Sequence, residues 1–267
     1  EELVKNDIII PKKNSNLVFQ YASYIKHLNY KNLSDAIRDW LRETWAYHKY
    51  IDHEQAALCV MHTLLELFLK MSAVIRNLED WSIHENVEAM QMLLVHPSLQ
   101  NLFLNIQFLS IDLKPERDHW ISNVLPKTCR KLKSLSVRRI SARDSSIQSL
   151  CPLLVAQHEL ENLTFYGGKC YYEILGKDLI HQADRLKLIT LDRADMKESA
   201  PWTAFAKCKN LEVLNIRQCF NLTRSMVFPI FSANFSRLKE ISILRNLPKA
   251  VHKDLVGWSR EYQMMKG

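Results

Sequence analysis

The sequence predicts an α/β fold of repeated units, each adding one strand to a parallel sheet and one helix to a covering layer. The main observation is an apolar pattern, L-x-x-L-x-L, that returns along the chain. Its clearest copies begin at Leu132, Leu160, Leu186, Leu211 and Leu238, separated by 28, 26, 25 and 27 residues. A helix-length stretch follows most copies, as at 146–158, 171–183 and 225–235. Such regular spacing is typical of stacked strand–helix repeats.

The spacing within one copy determines which side chains face the core. Residues two apart on a strand point to the same side, so the fourth and sixth positions are predicted to be buried. The five copies supply Leu135 and Val137, Leu163 and Phe165, Ile189 and Leu191, Leu214 and Ile216, and Ile241 and Ile243. A single unit cannot bury its apolar side alone. The prediction is therefore a right-handed leucine-rich-repeat solenoid with a concave parallel sheet and convex helices.

Two looser copies of the pattern precede the clear ones. We read them as Leu99, Leu102 and Leu104, and as Leu78, Trp81 and Ile83. The first of these leaves a gap of 33 residues before Leu132, which predicts an insertion around Pro115. The array is then about seven repeats long.

Three segments are predicted along the chain. Residues 1–77 form a helix-rich N-terminal cap, 78–247 the repeat array, and 248–267 a C-terminal capping helix with Trp258 over the last strand. The cap contains predicted helices at 33–47 and 57–71. The apolar face of the second helix is predicted to comprise Val60, Leu64, Leu67, Phe68 and Met71.

Composition excludes several classes of protein. Five glycines in 267 residues leave little material for phosphate-binding loops. The six cysteines form no CxxC pair and no signal peptide precedes them, which predicts free thiols in the cytoplasm or nucleus. The most apolar stretch, 56–71, is too short to span a bilayer, so no membrane partner is predicted.

One cysteine fits the finer signature of the repeat. Cys219 lies three residues after Ile216, where the repeat consensus carries Asn or Cys, and Asn246 holds the same place in the last copy. A buried thiol or amide there is expected to close the turn that leaves the strand. We therefore predict a structural role for Cys219.

No pattern in the sequence predicts catalysis, a cofactor or a metal site. The pair His48 and His53 flanks Asp52, but the spacing is neither that of a zinc helix nor that of a finger. The group Glu116, Asp118 and His119 follows a predicted insertion, where solvated charge is expected. A repeat surface also lacks an enclosed pocket, so we expect the chain not to be an enzyme.

The N-terminal segment resembles a known family. The run from Phe19 to Tyr30, FQYASYIKHLNY, followed by a helix with Trp40, is similar to the segment after the F-box in fungal F-box/leucine-rich-repeat proteins. The run from Leu64 to Leu69, followed by Leu78 to Ile83, also fits. With the repeats, the resemblance covers nearly the whole chain.

The resemblance implies a role in ubiquitin ligation. In that family the F-box docks on the Skp adaptor of a cullin-RING ligase and the repeats capture the substrate. No L-P-x-E-type helix opens this sequence, so either the F-box precedes Glu1 or this member lacks it. As it stands, the chain is expected not to co-purify with the adaptor. Two alternatives remain: a stand-alone interaction scaffold, and a nucleic-acid binder using the basic edge from Lys127 to Arg143 that includes Arg138.

The same period-two rule predicts the binding surface. The third, fifth and seventh positions of each copy share the outward face, which makes Thr190 an outward residue. The seventh positions are predicted to stack as His84, Asn105, Arg138, Tyr166, Asp192, Arg217 and Leu244. Arginine and tyrosine are enriched at protein interfaces. We therefore predict a protein partner bound by Arg138, Tyr166, Asp192 and Arg217.

Overall fold

The computed structural model describes most of the chain between residues 24 and 257. The described residues are 24–45, 53–71, 74–81, 97–113, 119–140, 148–168, 172–195, 202–244, 253 and 256–257. Eight strands and nine α-helices lie within them. The strands are β1 (His27–Asn29), β2 (Asn77–Trp81), β3 (Phe108–Asp112), β4 (Ser134–Ile140), β5 (Asn162–Gly168), β6 (Leu188–Asp192), β7 (Val213–Arg217) and β8 (Glu240–Leu244).

Every connection between consecutive strands carries helix. The helices are α1 (Tyr30–Trp45), α2 (His53–Lys70), α3 (Pro97–Phe103), α4 (His119–Asn123), α5 (Leu125–Thr128), α6 (Cys151–Val155), α7 (Tyr172–Leu179), α8 (Trp202–Phe205) and α9 (Arg224–Phe231). A short 3-10 helix, Ile180–Gln182, follows α7. A parallel strand can follow its neighbour only through such a crossover. The strands accordingly form one sheet in sequence order, β1 to β8, so the predicted α/β class with a parallel sheet is confirmed.

The chain divides into two compact units, residues 1–109 and 110–267. In the first, β1 pairs in parallel with β2, and Leu28 faces Leu78. The segment predicted as a helical cap thus contributes a strand to the sheet. Its helices α1 and α2 pack together, and Arg38 of α1 forms an ion pair with Glu54 of α2 at 3.1 Å.

The buried face of α2 differs from the predicted one. The buried residues are Ala56, Ala57, Val60, Met61 and Leu65. Of the five predicted residues only Val60 is buried, and the other four are half-exposed. Because 11 of the 18 residues of α2 are apolar and they occupy more than one side of the helix, helical periodicity alone did not fix which side faces the core.

In the second unit the repeat register agrees with the sequence pattern. Partners across β4 to β8 form a row of fourth positions, Leu135, Leu163, Ile189, Leu214 and Ile241, and a row of sixth positions, Val137, Phe165, Leu191, Ile216 and Ile243. In the first four of these strands all eight side chains are completely buried. The side chains of these two rows form the core, on the side of the sheet opposite to its outward face.

Two buried glutamines link successive repeats through backbone groups outside the strands. Gln157 and Gln182 are each 1% exposed. The amide of Gln157 donates to the carbonyl of Cys129 at 2.7 Å and accepts from the backbone N–H of Leu132 at 3.0 Å. Gln182 donates to the carbonyls of Leu154 and Gln157. Each buried amide therefore satisfies backbone groups of the preceding repeat, which fixes the spacing between repeats.

The predicted frame of the third strand is wrong. Leu99 and Leu102 lie in helix α3, and Leu104 is 46% exposed. The strand is β3, and its pattern is Ile106, Leu109 and Ile111, each no more than 2% exposed. Ile106 lies 26 residues before Leu132, so the repeat spacing is regular and no insertion at Pro115 is required.

The frame of the second strand also shifts. The buried residues there are Ile75 and Leu78, at 2% and 0% exposure, so Leu78 occupies the fourth position and not the first. Ile83 and His84 lie outside the described residues. The same holds for His48, Asp52, Glu116, Asp118, Asn246 and Trp258, and for most of the predicted C-terminal helix, of which Lys253, Val256 and Gly257 are described as helical.

Candidate binding surface

The four residues predicted to bind a partner lie side by side. Arg138 pairs with Tyr166, Tyr166 with Asp192, and Asp192 with Arg217 along four neighbouring strands. We call these four residues the seventh-position row. Since adjacent strands lie about 4.8 Å apart, the row runs for roughly 14 Å across the sheet. That these residues bind a partner stays a prediction.

The corrected frame of β3 places a further residue beside the seventh-position row. Its seventh position is Asp112, and the predicted Asn105 lies before the strand. The backbone N–H of Leu113 donates to the carbonyl of Arg138 at 3.0 Å. The N–H of Arg193 donates in the same way to the carbonyl of Arg217, the partner of Asp192. The matching hydrogen bond places Asp112 next to Arg138.

Arg138 and Tyr166 contact each other at one end of the row. The guanidinium carbon of Arg138 lies 5.8 Å from the centre of the Tyr166 ring. Both side chains are exposed, Tyr166 at 40%. A guanidinium over a ring face at this distance gains about 0.5–1 kcal/mol at an exposed site. The contact holds two large side chains in a defined geometry on the outward face.

Asp192 and Arg217 have opposite charge and lie in register, but the structure gives no ion pair between them. The Oδ1 atom of Asp192 lies 3.7 Å from Nε of Arg193, too far for a hydrogen bond. That same oxygen and the Nε atom of Arg217 are buried and have no hydrogen-bond partner. In the described part of the chain, Arg217 has no carboxylate partner. Asp192 thus has an ion-pair contact with Arg193 but its Oδ1 has no hydrogen bond, and the buried Arg217 Nε has neither, which is costly for a desolvated polar atom.

A row of small polar side chains lies beside the seventh-position row. These fifth-position residues are Ser136, Thr164, Thr190, Asn215 and Ser242. Thr190 is on the predicted face, but it is 6% exposed and accepts a hydrogen bond from Asn215 Nδ2 at 3.2 Å. Asn215 is 7% exposed, and its Oδ1 has no partner. Because these side chains are small, the surface is recessed beside the seventh-position row, and polar groups lie at the bottom of the recess.

The opposite end of the same strands carries a second set of charges. The second positions of the five repeats are Lys133, Glu161, Lys187, Glu212 and Lys239, which alternate in sign. We call this set the charge ladder. Lys187 Nζ lies 2.8 Å from Glu161 Oε1, and Lys239 Nζ lies 2.6 Å from Glu212 Oε2. The hydrogen bond from Lys239, together with its charge, lowers the pKa of the Glu212 carboxyl. Sequence analysis missed this ladder, although the alternation was visible in the second positions.

Left-handed backbone follows the seventh position in three successive repeats. Gly167, Arg193 and Gln218 directly follow the seventh positions of β5, β6 and β7, with φ of 71°, 54° and 51°. Side chains with a Cβ adopt this region at a cost. The Arg193 Nε donates to Gln218 Oε1 at 3.1 Å, which joins the two non-glycine turns. The backbone that directly follows the seventh positions of β5, β6 and β7 therefore has a defined, left-handed conformation.

Cys219 has the contacts expected of a residue that closes such a turn. It is completely buried, and its Sγ lies 3.5 Å from the carbonyl oxygen of Arg217 and 3.6 Å from that of Leu191. Burial raises the pKa of Cys219 to about 11 and the pKa values of Cys129 and Cys208 to about 12. Cys151 also has its pKa raised to about 12, by burial and by a hydrogen bond with Asp178. These four thiols are protonated at neutral pH and are poor nucleophiles.

Among the described residues, no group of three or more His, Cys, Asp or Glu side chains is placed to hold a metal ion. Within the same part of the chain, no helix has the length and apolar character needed to cross a bilayer.

Comparison of the chain with protein-family models, with curated proteins and with solved structures gives no match in any of the three. Its chemistry therefore has to be derived from its own residues. The outward face offers two arginines, a tyrosine and a carboxylate at regular spacing, next to a low polar surface. Such an arrangement suits recognition of another molecule by charge and shape.

Proposed function

We propose that this chain is a leucine-rich-repeat module that binds a protein partner on the outward face of its sheet. We further propose that it serves as the substrate-recognition part of an F-box-type (SCF) ubiquitin ligase subunit. The role is binding, with no catalytic step assigned to the chain and no cofactor.

The observation that carries the binding role is that Arg217 and its register neighbour Asp192 do not pair with each other. Neighbours of opposite charge in a sheet ordinarily pair, and two pairs of the charge ladder on the same strands do so. The Oδ1 atom of Asp192 lies 3.7 Å from Arg193 instead, and the Arg217 guanidinium has no carboxylate in the described part of the chain. A partner that supplies a carboxylate would recover the cost of desolvating the Arg217 guanidinium.

The ligase role rests on the sequence resemblance. The FQYASYIKHLNY run lies ahead of the repeats, where the F-box/leucine-rich-repeat family places its post-F-box segment. The regular spacing of the five copies, with buried fourth and sixth positions in the first four strands from β4 to β7, supports the repeat assignment. If the resemblance misleads, the same surface serves a stand-alone scaffold.

Affinity capture tests the binding role. The wild-type chain and a variant with Arg138→Ala, Tyr166→Ala, Asp192→Ala and Arg217→Ala are each immobilised, exposed to cell extract, and the bound proteins identified. We expect a set of proteins that the wild type retains and the variant loses. Identical protein sets on both would contradict a role for this face, as would bound material that is mainly nucleic acid and is released steeply by salt.

The ligase role has its own test. The complete natural reading frame is expressed with a tag, and co-purification of the Skp adaptor and cullin is measured. The ligase proposal predicts both. Their absence would leave a scaffold and would not affect the binding surface.

A further inference from the structure

We infer that β6 and β7 form a two-part subsite on the outward face, which takes an extended segment of the protein partner lying along the two strands. The segment carries an apolar side chain and, four residues away in either chain direction, a carboxylate. This inference rests on the proposed binding function and names the partner chemistry of the same surface. It comes from the side chains at the third, fifth and seventh positions of the two strands.

The first part of the subsite is apolar. Leu188 and Val213 are register partners at the third positions of β6 and β7, and both are half-buried. They face outward, because the third position shares its side of the strand with the fifth and seventh. The flanking strands place Asn162 and Glu240 at the same position. The two side chains therefore form an apolar patch bounded by polar ones, with room for one apolar side chain of a partner.

The second part is the guanidinium of Arg217, at the other end of the same two strands. Its register partner Asp192 is in contact with Arg193 at 3.7 Å. The next carboxylate along the chain, that of Asp195, accepts a hydrogen bond from Asn221 at 2.6 Å. Arg217 is half-buried, its Nε has no hydrogen-bond partner, and no described carboxylate pairs with it. A carboxylate of the partner would form a charge-assisted hydrogen bond with this guanidinium.

A recess connects the two parts. The fifth positions, Thr190 and Asn215, are 6% and 7% exposed and are joined by a hydrogen bond of 3.2 Å. Within each strand, every residue between the third and the seventh position is buried. A segment that lies along the strands therefore crosses a floor of small side chains, with one end over Leu188 and Val213 and the other at Arg217.

The spacing selects an extended segment over a helix. From the third to the seventh position of a strand is about 13 Å, and residues i and i+4 of an extended partner are separated by the same distance on one side. On an α-helix, residues of one stripe such as i and i+7, or i and i+11, lie about 10.5 or 16.5 Å apart. Glu240 beside Val213 repels a carboxylate at that end, so the acid belongs at Arg217.

The direct test uses short fluorescently labelled peptides. Two peptides carry Leu-Thr-Thr-Thr-Glu or Glu-Thr-Thr-Thr-Leu between Ser/Thr flanks, because threonine favours an extended chain. Control peptides change Glu to Gln, change Leu to Ser, or shorten the spacing to Leu-Thr-Glu. Binding to the full chain is followed by fluorescence anisotropy. We expect saturable binding of at least one of the two peptides, weakened about fivefold or more by each control change.

Substitutions in the protein assign each preference to its part of the subsite. Arg217→Gln should remove the preference for Glu over Gln, and Val213→Thr should reduce the preference for Leu over Ser. Arg185→Gln, in the loop before β6, removes the same charge and should change neither preference. Circular dichroism verifies that each variant is folded. If Arg217→Gln fails to fold, the control peptides on the wild type and on Val213→Thr carry the test.

Three results would overturn the inference: no saturable binding of either peptide, binding that the Glu-to-Gln and Leu-to-Ser changes do not weaken, or preferences that survive both Arg217→Gln and Val213→Thr. These results are separable from a failure of the proposed function. If affinity capture still finds proteins lost in the fourfold alanine variant, the outward face binds proteins and only the two-part subsite is wrong.

Discussion

Charged side chains lie at both ends of the strands in the second unit, but they pair differently at the two ends. In the charge ladder, successive strands alternate in sign and two lysine–glutamate pairs close at 2.8 and 2.6 Å. In the seventh-position row, Asp192 and Arg217 are register partners without an ion pair between them. Two lysine–glutamate pairs of the ladder close within the protein, whereas Arg217 of the row has no carboxylate partner among the described residues. This contrast is the reason for proposing the row, and not the ladder, as the binding surface.

Both ends depend on the core between them, so the largest expected effect is there. Leu214 is completely buried, and Leu214→Ala should lower the free energy of unfolding by roughly 2–5 kcal/mol through lost burial and a cavity. Thr164→Ala, on the half-exposed outward face, should lower it by well under 1 kcal/mol. Denaturant titration measures both. Equal losses of unfolding free energy for the two variants would show that buried and outward positions do not alternate along the strands as described.

The buried position of Thr190 changes the expectation for its substitution. As an outward residue it was expected to tolerate alanine. Because its hydroxyl accepts from the buried Asn215 amide, Thr190→Ala should instead cost about 1–2 kcal/mol. Thr190→Ser keeps the acceptor and should recover part of this loss in the same denaturant titration. If Thr190→Ser is no more stable than Thr190→Ala, the hydrogen bond is not the cause.

The seventh-position row should matter for binding more than for folding. Single alanine substitutions of Arg138, Tyr166, Asp192 and Arg217 should each change the free energy of unfolding by no more than about 0.5–1 kcal/mol. At least one should weaken binding of a captured partner by more than about 1 kcal/mol. Denaturant titration and calorimetry measure the two quantities. Binding that survives all four changes, with loss on substituting the helical layer, would move the site to the other face.

The charge ladder should show the reverse behaviour with smaller magnitudes. Lys187→Met removes the partner of Glu161 and should lower the free energy of unfolding by at most about 1 kcal/mol, because the pair is exposed. The loss should shrink as salt is raised, since salt screens exposed charges. Binding of the captured partner should not change. A loss of binding from this substitution would extend the interface to the ladder.

The smallest effect is a titration within the ladder. In the folded protein Lys239 lowers the pKa of Glu212. A lowered folded pKa contributes stability at pH values above the unfolded pKa, and this contribution disappears as pH falls through the folded pKa. Lys239→Met should raise the pKa of Glu212 towards its ordinary value, as followed by NMR titration of the carboxyl. An unchanged pKa would show that the pair does not form in solution.

The sequence predicted the second unit better than the first for a physical reason. From β4 to β7 the first, fourth and sixth positions are all apolar and completely buried, so a period-two pattern was unambiguous. Leu99, Leu102 and Leu104 imitate that pattern, but leucines three apart also share one face of a helix. The strand instead buries Ile106, Leu109 and Ile111, which have the same spacing as the leucine pattern.

Other parts of the site could be read only from the structure. The row order of Arg138, Tyr166, Asp192 and Arg217 follows from spacing alone and was predictable. Burial of Thr190 depends on the side chains around it and has no local signal. The absence of an ion pair between Asp192 and Arg217 depends on the rotamers of both, which sequence does not specify.

The central claim is that the row binds and the ladder does not, and one measurement compares them directly. The affinity of a captured partner is determined for the fourfold alanine variant of the seventh-position row and for a matched variant with Glu161, Lys187, Glu212 and Lys239 changed to alanine. The matched variant removes two acids and two bases, so net charge is unchanged. We predict lost binding in the first variant and wild-type affinity in the second. Retained binding in the first and lost binding in the second would contradict the account.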